Sequence, residues 1–227
     1  MRTATTALFR YYRTIIVWFA VILVAAEVIV VSLVTLAGPL EPSMWLVLAG
    51  TAAKYWLLVA GIMLVSTHLR LFVANGATRH EFLVAAALFA LVVSVGFAVA
   101  VAVGHALESA VLGALDERAT NYPVFVASDL PNEVGRMIPV SLAYFVAGAM
   151  AAAGFYRFRK WVGVVLIIPA LVPPGVADRL LAVDENGPVT DHLPYAPALL
   201  LALAATVVVG AFLYRVMSDI PIRRAPG

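Results

Sequence analysis

Cysteine is missing altogether and charge is scarce, and each shortage closes off a class of function. With 0 Cys in 227 residues, the chain has no disulfide framework, no thiolate metal ligand and no thiol nucleophile. The absence does not fix a compartment, since a disulfide-free chain suits either side of a membrane. Charged residues make up 12% of the chain, against roughly a quarter in soluble domains. There is no Gly-x-x-x-x-Gly-Lys-Ser/Thr loop, so the chain should not cradle nucleotide phosphates itself. His80-Glu81 lacks the second His of a His-Glu-x-x-His zinc site, and His68, His105 and His192 are too scattered for a metal site. No Gly-x-Ser-x-Gly elbow presents a nucleophile. No catalytic residue, cofactor or metal is expected, and the chain reads as something other than an enzyme.

What fills the space is hydrocarbon. The chain is 63% hydrophobic, with a mean hydropathy of +1.00, so its solvent must be lipid. Apolar runs of spanning length cover 14–37, 43–66, 82–104, 137–156 and 195–214, each near the ~20 residues that a helix needs to cross the hydrocarbon core. A further run from Trp161 stops at Pro173-Pro174 and contains Pro169. It predicts a short or broken fifth span over 161–181, with backbone re-entering or lying along the surface through Ala182. The fold class is therefore an all-α membrane protein, a six-span helical bundle forming a single domain over 1–227.

Charge sets the orientation. With the N-terminus inside, the inner segments collect Arg2, Arg10, Arg13, Arg70, Arg79, Arg157, Arg159, Lys160, Arg215, Arg223 and Arg224. The outer ones hold Arg118, Arg136 and Arg179 among many acids, a positive-inside pattern with both termini cytoplasmic. It also requires the weak fifth span. Tyr11, Tyr12, Trp18, Tyr156, Trp161 and Tyr214 then mark the inner interface, and Trp45, Tyr122 and Tyr195 the outer. Arg157, Arg159 and Lys160 suit anionic lipid headgroups, and so short a cluster argues against nucleic acid. Val24-Ala25-Ala26 imitates a signal-peptide cleavage site, but the apolar run continues to Ala37, longer than the ~7–15 residues of a signal core. The first run is therefore expected to remain as a span.

Smaller features add detail. The segment 1–13 mixes Leu8, Phe9, Tyr11 and Tyr12 with Arg10 and Arg13, which suits either an interfacial helix on the inner surface or a frayed basic tail. The outer segment 105–136 is expected to carry an amphipathic helix with Leu107, Val111, Leu112 and Leu115 on one face, resting on the outer leaflet or capping the bundle. Asp129 before Leu130-Pro131 resembles a helix cap. Gly96, Ala100 and Gly104, and likewise Gly148 and Ala152, have the spacing that lets membrane helices approach closely. Glu27 and Lys54 fall near the middle of the first and second spans. Each is costly alone in the bilayer, by at least ~2.5–3.5 kcal/mol on insertion scales. They are expected as an intramembrane charged pair, serving either helix register or a polar, proton-coupling pathway.

The most informative stretch is the polar link 67–81, which contains Asn75-Gly76-Ala77-Thr78-Arg79 and ends before Phe82. Asn75-Gly76 can take the left-handed conformation that stops a helix. Thr78 and Glu81 form a capping box for the next one. An ordinary cytoplasmic turn would use the same chemistry. Together with six spans and an N-terminal surface segment, however, this link resembles that of the membrane subunits of ATP-binding-cassette transporters, the exporter-type permease family. There a similar stretch, followed by an aromatic residue like Phe82, joins the second and third spans.

The resemblance implies that 67–81 is the coupling segment, with Arg70, Asn75, Gly76, Thr78, Arg79 and Glu81 seated in a groove of a separate ATPase subunit. In that frame Arg70 and Arg79 pair with acidic groups of the ATPase, and 1–13 is an interface helix. The region 173–194 matches the family's short outer helices before the last span. The partners implied are ABC-type ATPase subunits, a second copy of the chain or a related permease, and membrane lipids. The cargo implied is a hydrophobic or amphipathic lipid, drug or peptide, exported across the plasma membrane. Two other readings stay open: a non-transporting accessory or sensor subunit, and a proton-coupled secondary transporter using Glu27.

Overall fold

The computed structural model describes residues 2–184, 187–188 and 193–218. Arg223, Arg224 and His192, named above, lie outside them. Among the described residues, seven α-helices follow in chain order: α1 (Arg2–Thr35), α2 (Thr51–Met63), α3 (Leu69–Ala74), α4 (Arg79–Ala114), α5 (Leu130–Arg157), α6 (Lys160–Leu181) and α7 (Tyr195–Ser218). α2 and α3 belong to one rod, Leu46–Ala74, in which π-helical turns at Leu46–Gly50 and Leu64–His68 replace regular α-turns. Among the described residues six helices are thus long and apolar enough to cross a membrane, which makes this a multi-pass helical membrane protein.

α5 lies at the centre, packed against α2, α4, α6 and α7. Its most apolar stretch is 67% buried, against 6% for α1 at the rim. The reason is side-chain size. A Cβ added at Gly148 would sit 2.0 Å from the Leu58 carbonyl oxygen, and one at Gly61 would sit 2.2 Å from that of Phe145. The rod through α2 and α5 therefore meet backbone to backbone, the contact that small residues permit in membranes. Gly96, grouped with Gly104 on spacing alone, faces open space, whereas Gly104 makes room for the Trp45 indole.

Several expectations are corrected. The segment 1–13 does not form a separate interfacial helix. Its described residues are the first turns of α1, and Leu8 and Tyr12 are buried in the main core with Phe82 and Phe89. The amphipathic stretch from Leu107 is not a distinct helix either, because α4 continues unbroken to Ala114. At 36 residues, α4 is about 54 Å long, well beyond the ~30 Å hydrocarbon core. The fourth span likewise begins at Leu130, with Pro131 in the first turn and Asp129 at the N-cap, although the Asp129 side chain makes no cap bond. The fifth span is unbroken. Lys160–Leu181 stays helical through Pro169, Pro173 and Pro174, and the last two are buried where α5 and α7 pack on α6. Neighbouring helices let a membrane helix tolerate proline in this way. Among the described residues no short helix precedes α7; β1 (Val183–Asp184) and β2 (Gly187–Pro188) pair antiparallel instead.

Candidate functional site

At one end of the bundle the helix ends carry Arg70, Arg79, Arg157 and Arg215, and here the link between α3 and α4 makes a tight elbow. Ala77 N–H donates to the Phe72 carbonyl and Gly76 N–H to that of Val73, each at 3.0 Å, the paired bonds of a Schellman stop. Gly76 supplies the left-handed residue, at φ +86°. The Asn75 amide donates back to the Leu71 carbonyl at 2.7 Å. Two residues on, the Thr78 hydroxyl accepts from Glu81 N–H at 3.1 Å, and the Glu81 carboxylate accepts from Thr78 N–H at 2.9 Å. This is the reciprocal capping box read from the sequence. Phe82 is fully buried beneath it, 5.4 Å ring to ring from Phe72. Asn75, Gly76 and Thr78 stay exposed. The result is a short, protruding turn with its backbone satisfied from within.

The arginines of the elbow are tied inward. Arg70 Nε donates to the Tyr156 hydroxyl at 3.1 Å, with its guanidinium 5.2 Å from that ring. Arg79 donates to the Ser218 carbonyl at 3.1 Å. Arg157 donates to the Val216 carbonyl, so two guanidiniums cap the last turn of α7, where cations are favoured. Tyr214 and His80 approach at 3.3 Å. The elbow is thereby fastened to the ends of α5 and α7.

Between the helices lie polar groups that the sequence did not bring together. Glu27 and Lys54 do not pair. Lys54 Nζ instead meets Asp178 at 3.1 Å, and the Tyr144 hydroxyl donates to the other Asp178 oxygen. The expectation failed because Pro173-Pro174 made the fifth span read as broken, which left Asp178 among the outer acids. With α6 continuous, Asp178 stands beside α2.

Towards the other end, Glu108 gathers the residues just before the Leu46–Ala74 rod. It accepts from Met44 N–H at 2.9 Å, Trp45 N–H at 3.3 Å and the Tyr122 hydroxyl at 2.9 Å, as well as from the Ser43 hydroxyl. Burial, and next the Glu108 charge, push the Tyr122 hydroxyl above its ordinary pKa. Nearby, both ring nitrogens of His105 face acceptors, Glu133 at 3.0 Å and the Pro123 carbonyl at 2.9 Å, which an imidazolium with two donors satisfies.

Glu27 is the exception. It is buried on α1, and no donor reaches either of its oxygens. Its one polar neighbour is the like-charged Glu108 carboxyl, which lies within hydrogen-bonding reach and can bond to it only through a shared proton. No group of three or more potential metal ligands occurs among the described residues.

The class these features define is a polytopic helical membrane protein with a capped elbow at its basic end and, between α1 and α4, a buried carboxyl that no donor reaches. No family model, curated protein or solved structure matches the chain.

Proposed function

We propose that the chain is the membrane-spanning permease subunit of an ATP-driven transporter of the ABC class, exporting a hydrophobic or amphipathic substrate from the cytoplasm. The observation that carries this reading is the elbow, a stiff polar turn at the basic end that joins the second and third membrane helices. In this reading the basic end is cytoplasmic, by the positive-inside rule, and the membrane is the plasma membrane. Separate ATPase subunits dock on 67–81, with Asn75, Gly76, Thr78 and Glu81 giving the turn its shape. One bundle is half a pathway, so a second copy or a related permease completes it, and α1 leaves a long apolar face for such contact.

The fasteners give the proposed transmission a physical route. A push on the elbow reaches α7 through Arg79 and α5 through Arg70, so three helices move as one body when the ATPases close. The test is gentle-detergent purification of the tagged chain from its native host, with mass spectrometry of what accompanies it. A stoichiometric partner bearing a Gly-x-x-x-x-Gly-Lys-Ser/Thr loop is the expected result; repeated recovery without any ATPase refutes the proposal.

One observation favours a second reading. A buried carboxyl with no donor, beside another carboxyl, suits the proton site of a secondary transporter using Glu27. That reading requires no ATPase, and the same purification separates the two.

A further inference from the structure

Beside Glu27 a groove of about 510 Å³ opens between α1 and the last turns of α4, with Trp45 at its base. Its volume lies in the ~300–1,000 Å³ range of small-molecule sites. The walls are apolar, formed by Val28 and Val31 of α1 and by Leu107 and Val111 of α4. Three acids line it, Glu27, Glu108 and Glu117, and no lysine, arginine or histidine does. Glu108 is already saturated by Ser43, Met44, Trp45 and Tyr122. The nearby hydroxyls of Ser32 and Thr35 are spent on carbonyls of their own helix, at 2.6 and 2.9 Å. Glu27, with 8% of its surface exposed, has no donor on either oxygen and only the Glu108 carboxyl within hydrogen-bonding reach.

A carboxylate in an apolar site beside a second one needs a counter-cation or a proton. We infer that the groove is a binding site for a hydrophobic organic monocation, its charge held by Glu27 and its apolar body lying along Val28, Val31, Leu107 and Val111. The Trp45 ring adds a face that attracts cations. A divalent metal ion fits poorly, since it calls for several oxygen ligands or waters, and among the described residues no three-ligand group exists. As a statement of cargo, the inference rests on the transporter reading. As a binding site, it is measured on the chain alone.

The probe is radiolabelled tetraphenylphosphonium, bound to the immobilised chain in maltoside micelles. Saturable binding above that of protein-free micelles is expected, weakened by Glu27→Gln at least about ten-fold, as loss of a buried charge partner implies. Val28→Trp should abolish binding by filling the groove, and its 60% exposed position leaves the fold intact; it carries the test should Glu27→Gln fail to fold. Tetraphenylborate, of the same shape and opposite charge, should not compete. Absence of saturable binding, binding indifferent to both substitutions, or equal competition by the anion would overturn the site. Binding by a chain that recruits no ATPase keeps the site and removes its role as cargo entrance. Recruitment without binding keeps the transporter reading and removes the site.

Discussion

Lys54 of α2 and Asp178 of α6 form an ion pair at 3.1 Å across the bundle, 124 residues apart in sequence. The Tyr144 hydroxyl holds the second Asp178 oxygen, and the Lys54 ammonium lies 5.8 Å from the Tyr144 ring. Charge placed between helices in lipid is costly alone, and the triad spreads that cost over three helices.

The pair makes a sharp prediction about additivity. Lys54→Met and Asp178→Asn should each lower thermal stability in detergent, and the double variant should lose less than the sum, with a coupling of about 0.5–3 kcal/mol. Glu27→Gln combined with Lys54→Met should instead be additive within about 0.5 kcal/mol, as for residues sharing no partner. Thermal unfolding of the three single and two double variants measures both cycles, and coupling in the second would contradict the arrangement described here.

The elbow yields a prediction about backbone conformation. Nothing lies within 4 Å of a Cβ built on Gly76, so space is not the obstacle; φ +86° is. Gly76→Ala should therefore cost roughly 1–2 kcal/mol, the penalty of a left-handed residue with a side chain. Gly96→Ala, in a helix with nothing within 4 Å of its Cβ, should be neutral or stabilising by up to about 1 kcal/mol, because alanine is the better helix former. Equal effects of the two would show that the turn is not held as described.

These sites also mark what could be read without coordinates. The stop at Asn75-Gly76 and the start at Thr78–Glu81 were legible because each uses bonds within a few residues. The number of spans was legible from hydropathy and charge bias. The partners of Lys54 and Glu108 were not. Both depend on how far α4 and α6 extend, and helix ends follow packing more than composition. Asp178 was hidden behind two prolines that lipid-buried neighbours make tolerable, and Glu108 behind an amphipathic pattern that looked like a separate surface helix. That Glu27 meets the Glu108 carboxyl and no donor was not readable at all, since a missing donor has no local sequence signal.

Close helix contact gives the third prediction. Gly148→Ala would bring a methyl to 2.0 Å from the Leu58 carbonyl oxygen, a clash that only separation of the rod from α5 relieves. Loss of a monodisperse, folded species on size-exclusion chromatography is expected. Gly210→Ala, with nothing within 4 Å of its Cβ, should behave as wild type. Normal behaviour of the Gly148 variant would mean that the two backbones do not meet there.

The last prediction joins the elbow to function. Arg79 ties the first turn of α4 to the final carbonyls of α7, and a carboxylate in its place would face carbonyl oxygens without a proton to offer. Arg79→Glu should free the end of α7, seen as faster amide exchange around Val216–Ser218. The bundle itself should stay folded, because Phe82 and the capping box do not depend on the guanidinium. In the complete transporter the same variant should hydrolyse ATP without moving cargo, or release its ATPase. Two measurements separate the local claim from the functional one. Unchanged exchange at the α7 end would remove the fastener, whereas altered exchange with intact transport would keep the fastener and remove its part in coupling.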